Sequence, residues 1–222
     1  MKVEFDPERP LIISYMTLRK AIGFLGVGLP FVVSLGALII FHTGIQGSIS
    51  SYYYTGMRDV FVGILWTIGF FLLAYKGYTI TDTIAGILGS IFAVGVSLFP
   101  TAPDQNPTAG AVIIGHIHLV FAALFFLTLI FFSCFLFTKT STDPEHHPVT
   151  KRKRQRNVVY IVCSAVMAVS IVLIGIYHFL PDSTAALFKA YDPIFWLETI
   201  AIIAFGISWL IKGETLLKDE GS

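Results

Sequence analysis

The sequence predicts an all-α, polytopic membrane protein of six transmembrane helices with both termini in the cytoplasm. Three observations predict it. Hydrophobic residues make up 55% of the 222 and charged residues only 13%, with a mean hydropathy of +0.77. A soluble domain carries about 25% charged residues, so lipid must be the solvent for most of this surface. Six apolar stretches are each long enough for a hydrocarbon core about 30 Å thick. Lys and Arg divide very unevenly between the connections on the two sides.

The spans fall at about 21–41, 59–75, 83–100, 113–137, 157–180 and 193–211, within one domain covering 1–222. The start of the chain, "MKVEFDPERPLIISYMTLRK", has acidic residues and prolines where a cleavable signal peptide has a short basic region, so the first span is expected to be retained. Pro30, with Gly26 and Ser34 nearby, should kink it. The second and third spans are short. The third carries a small-residue face, Asp82, Gly86, Ser90, Ala93 and Ser97, at helical spacing. The fifth carries another, Ser164, Ala168, Ile171, Gly175 and His178. Such stripes let helices approach closely in lipid, where packing and hydrogen bonds replace the hydrophobic drive. The longest connection, "TKTSTDPEHHPVTKRKRQR", leaves no room for a soluble domain; His146 and His147 read as solvated loop residues.

With six spans, thirteen of the fifteen Lys and Arg fall on the side of the termini and only Arg58 and Lys189 fall opposite. The positive-inside rule makes the crowded side cytoplasmic. This reads "KRKRQR" at 151–156 as a topology determinant that also meets anionic lipid, rather than a nucleic-acid site. The net charge of +1 recruits no nucleic acid either. Cys134 and Cys163 lie in apolar runs and imply packing, not a disulfide framework.

The polar residues then gather on the outer side. In "SSYYYTGMRDVFVGILW" the tyrosines Tyr52, Tyr53 and Tyr54 read as an interfacial belt, with Asp59 capping the second helix and Arg58 reaching headgroups. His42, His116, His118 and His178 stand at outer helix ends, Asp104 lies in "FPTAPDQNP", and Asp182 and Asp192 flank the last outer loop. No ionisable residue is expected well inside the opposite half. Glu198 is the sharpest feature, some five residues into the sixth span. A carboxylate there is costly unless paired, protonated or facing water. It is expected to point into the bundle, towards Arg58 or a histidine. The candidate ligand-binding residues are therefore Tyr53, Arg58, Asp59, Asp104, His116, His118, His178 and Glu198; catalytic residues stay unassigned.

A zinc ion would need three or four N, O or S ligands, with His116, His118, His178 and Glu198 as the candidates. H-x-x-x-H and H-E-x-x-H are both absent. So are a lysine within a span, a phosphate-binding G-x-x-x-x-G-K-[ST], a G-x-S-x-G elbow and an arginine ladder.

The blocks "SISSYYYTGMRDVFVGILWTIGFFLLAYKGY", "SLFPTAPD" and "HIHLVFAALFFLTLIFF" resemble a group of uncharacterised bacterial multi-span proteins, loosely similar to the DRAM/Sfk-type six-span membrane family, over about residues 20–212. The resemblance implies a six-helix membrane protein and carries over no catalytic residue. The ceramidase/progestin-receptor-like superfamily, by contrast, uses seven spans, a Ser-x-x-x-His element and a His-x-x-x-His pair, none of which is read here.

Three functions fit these residues. The first is binding or transport of a lipid headgroup, small solute or ion in an outer chamber, with histidine and carboxylate suited to proton coupling. The second is an intramembrane metal-dependent hydrolase of lipid amides or esters. The third is a non-catalytic scaffold or regulator. The partners these readings admit are membrane lipids, a small-molecule or ion ligand and a second copy of the chain in a homo-oligomer. The expected location is the inner membrane.

Overall fold

The computed structural model describes residues 14–75, 77, 79–103, 105–139 and 150–217. Helix α1 spans Tyr15–Ile40, α2 Arg58–Ala74, α3 Ile80–Leu98, α4 Ala109–Phe131, α5 Lys151–His178, α6 Asp182–Phe188 and α7 Pro193–Lys212. A π-helical segment, Phe132–Leu136, extends α4, and 3-10 turns lie at Ser50–Tyr54 and Lys189–Tyr191. Five helices, α1, α3, α4 with its extension, α5 and α7, are long and apolar enough to cross a membrane. This makes a multi-pass membrane protein. Large apolar side chains such as Phe24, Phe31, Ile39, Phe70, Ile91 and Val172 are exposed, as lipid-facing residues should be.

Side-chain caps start four of the helices. Ser14, Thr108 and Thr150 accept from the backbone N–H groups of Thr17, Ala111 and Lys153, and Thr79 with Asp82 forms a capping box on α3. With Thr150 as cap, α5 takes in the basic run that the sequence suggests is loop; Lys, Arg and Gln are good helix formers. Met57, not Asp59, occupies the N-cap position of α2, and Asp59 sits in its first turn.

The helices alternate in direction. α1 and α7 run antiparallel in close contact: a Cβ on Gly26 would meet the Phe205 ring at 2.8 Å and the Cα of Gly206 at 3.2 Å. α2, at 17 residues, starts where Met57 lies against Gly36 of α1 and ends where Tyr75 meets Tyr15, so it runs back along most of that helix. In α3 the small-residue face is buried throughout. The stripe in α5 is not. Its packed face is Tyr160, Cys163, Ser164, Met167 and Ser170, while Gly175 meets open space and His178 is exposed. The last turns of α5, with Ile174, Tyr177 and His178, border a cavity instead.

The core at the end where α1 begins is aromatic. Trp209 is fully buried, with the rings of Tyr75, Phe132 and Phe137 centred 5.1–5.4 Å away. Asp82, expected at the edge, is 1% exposed and pairs with Lys139 at 3.3 Å. Lys212 and Arg19 lie over aromatic rings at the same end. Polar groups buried inside the bundle are therefore present at this end as well, where the sequence suggests none well inside a span.

Candidate functional site

At the opposite end, a cavity of about 670 Å3 opens between the loop after α1, α4, the end of α5, α6 and the start of α7. Its wall includes His116, His118, His178 and Glu198. Three separate helices thus bring four of the expected site residues to one space. The segment between α5 and α7, expected to be loop, forms α6 and closes one side. Asp192 follows it in a left-handed conformation (φ 45°), and Pro193 starts α7, as suits a residue with no N–H to donate.

Glu198 lies in the second turn of α7. Its Oε2 accepts from the backbone N–H of Ile49 at 2.6 Å and of Ser50 at 3.4 Å, where the Ser50–Tyr54 turn begins. The free N–H groups that open a helical turn suit a carboxylate. Ser50 Oγ lies 3.0 Å from Nε2 of His118. On the other side of the imidazole, Nδ1 lies 2.7 Å from the carbonyl of Phe99 and 3.2 Å from that of Val96. Carbonyls only accept, so Nδ1 carries a proton, and in the neutral ring Nε2 accepts from the Ser50 hydroxyl. Ser50 thus joins Glu198 to His118, its backbone N–H facing the carboxyl group and its hydroxyl the imidazole, whose far side is held by Phe99. It ties α7 to α4 and to the end of α3 through the first loop.

Several expectations change here. Glu198 takes backbone amides as partners, not Arg58. Arg58 and Asp59 pair with each other at 3.2 Å, with side chains 57% and 89% exposed. Together with Tyr53, whose ring lies 5.9 Å from the Arg58 guanidinium, they border a separate surface cleft. An exposed pair of that kind contributes about 0–1 kcal/mol. The three tyrosines divide. Tyr52 is fully buried, packs on Phe195 and accepts from the Gln46 N–H; burial pushes its phenol above the ordinary range, so it stays protonated. Tyr54 is exposed and donates to the Thr101 carbonyl at 2.7 Å, joining the first loop to the third helix's exit. Asp104 lies outside the described residues.

Sequence reasoning assigned no role to Ser50, although the small polar run "GSISS" marks a segment able to turn tightly beside a helix. Ser48, Ser51, Tyr177, Lys189 and Asp192 also border the cavity. Among the described residues, no group of three His, Cys, Asp or Glu side chains stands close enough to hold a metal ion. Both nitrogens of His118 already face protein partners. His116, two residues away, is exposed on another side of the helix.

No family model, curated protein or solved structure matches this chain.

Proposed function

We propose that this is a six-span inner-membrane protein whose outer chamber binds a small polar solute, ion or lipid headgroup, with binding linked to a proton held by Glu198, Ser50 and His118. Both termini lie in the cytoplasm. The 17 residues of α2 are enough for a sixth span, since about 17–25 residues cross a bilayer. The basic residues collected at the end where α1 begins and α7 finishes support the orientation. The observation that carries the functional reading is the seating of Glu198. Its carboxyl group is held by two backbone amides and joined through Ser50 to a histidine, on the wall of a cavity large enough for a small ligand.

Ala186 of α6 borders the cavity, and Ala186→Trp should fill it without replacing Glu198, Ser50 or His118. Native mass spectrometry of gently purified protein is expected to detect a bound adduct in the wild type and none in Ala186→Trp, with equal unfolding temperatures. An adduct retained by the tryptophan variant would remove this cavity as the binding place.

A second reading rests on one distance. Ser50 Oγ at 3.0 Å from His118 Nε2, with Nδ1 fixed by a carbonyl, has the nucleophile–base–orienter order of acyl hydrolases. It predicts that a fluorophosphonate probe labels wild-type protein at Ser50 and leaves His118→Gln unlabelled. Absence of label on the wild type rejects hydrolysis and leaves the binding reading intact.

A further inference from the structure

Inward of the chamber lies a second, smaller cavity of about 50 Å3. Gly26 of α1, Leu65 of α2, Val96 of α3, Phe125 of α4 and Ile202 of α7 stand around it, so five helices share its wall. Apart from Ser50 and Glu198, that wall consists of apolar side chains and one glycine. The same two residues border the outer chamber. Along α7, Ile202 and Phe205 follow Glu198 by about one and two turns, which sets the small cavity roughly 6–10 Å deeper. Glu198 is the one ionisable residue that borders both. Its carboxyl group therefore stands where a polar space and an apolar space adjoin.

A cavity lined in this way takes apolar groups. One of about 150 Å3 admits benzene, so this one has room for about two or three carbons. A molecule that occupies both spaces must pass the Glu198 carboxyl group. The part of it lying there has to donate a hydrogen bond, and a cation does so most strongly, whereas an anion would face a carboxylate. The chamber carries a second carboxylate, Asp192, beside one lysine, Lys189. His116 and His178 on the same wall add hydrogen-bonding groups for a polar head.

We propose that the ligand of the chamber is a primary amine bearing a short aliphatic group, with its ammonium against Glu198 and its aliphatic end in the inner cavity. This rests on the binding function proposed above for the chamber and narrows the ligand to one chemical class.

Saturation-transfer NMR on the full chain in detergent tests it, with the n-alkylammonium ions from methyl to hexyl and the carboxylates from acetate to hexanoate as probes. Affinity for the amines is expected to rise about fourfold per added CH2 and to level off after about three carbons. The carboxylates should bind more weakly at every length. Ala122 borders the inner cavity and not the chamber, so Ala122→Leu should flatten the rise with length. Glu198→Gln should weaken every amine by about thirtyfold or more. Affinity independent of chain length, a rise that persists in Ala122→Leu, or carboxylates that bind better than amines would each overturn the proposal. Amines that fail to bind, beside an adduct still lost in Ala186→Trp, would reject the amine and leave the chamber as the binding place. Amines that fail to bind, with that adduct retained in Ala186→Trp, would reject both. Should Ala122→Leu fail to fold, the wild-type series decides: a rise that continues unbroken to hexylamine rejects the inner cavity as the seat of the aliphatic group.

Discussion

Trp209→Ala should lower the unfolding free energy by about 3–5 kcal/mol, the usual cost of emptying a large aromatic site. Trp209 has no exposed surface, and around it stand the rings of Phe137 (5.1 Å), Tyr75 (5.3 Å), Phe132 (5.4 Å) and Phe205 (6.3 Å). Three of the four pairs, with Tyr75, Phe137 and Phe205, cross at 75°, 84° and 68°, the edge-to-face geometry that adds about 0.5–1.5 kcal/mol beyond contact area. In lipid the hydrophobic drive between helices is missing, so lost contacts and the cavity left behind carry the whole effect. Three chain segments meet at this ring: the exit of α2, the π-helical end of α4 and α7. Losing it therefore loosens the assembly, not one helix. Denaturant unfolding in mixed micelles measures this, with Trp209→Phe expected to keep more than half of the wild-type stability difference. An alanine variant within about 1 kcal/mol of wild type, a loss ordinary for a surface site, would mean that the helices are held elsewhere.

Apolar runs made the long helices legible, because a bilayer leaves a chain few other ways to satisfy its backbone. The α3 stripe was legible for a related reason: Gly86 would place a Cβ 2.6 Å from the carbonyl of Leu72, so only glycine admits that approach. The α5 stripe had equal spacing and a different fate. Spacing says which residues share a face, and what faces them depends on the neighbouring helix, which diverges near Gly175 to leave room for the cavity. The short helix α6 and the π-helical end of α4 carried no periodic signal. They are fixed by what they join.

The candidate site was legible by type and not by partner. A glutamate inside a span demands a partner, and sequence reasoning looked for one among side chains. Ile49 and Ser50 supply backbone amides, which every residue has and no sequence pattern marks. Arg58 and Asp59 raised the opposite difficulty. As adjacent charges they invited a role in the site, yet adjacency let them satisfy each other at the surface. Tyr52 and Tyr54 are two apart in one short turn and differ completely in burial, because a 3-10 turn points successive side chains in different directions.

Glu198→Gln is expected to leave the fold standing and to remove proton linkage. Glutamine has the same shape, and its oxygen can accept from the Ile49 N–H as the carboxylate does. A carboxyl group has an ionised and a protonated form, and an amide has only one, so the variant keeps the seating and loses the exchangeable proton. In liposomes with a trapped pH-sensitive dye, wild-type protein should dissipate an imposed pH gradient, and Glu198→Gln should slow this on the order of a hundredfold, the scale of losing a positioned acid–base group. Ser50→Ala should do the same by removing the hydroxyl that faces His118, while His178→Gln, elsewhere on the cavity wall, should leave proton flux near wild type. Rapid flux through the glutamine variant at an unchanged unfolding temperature would assign Glu198 to fastening the first loop onto α7. Protons would then cross by some other route.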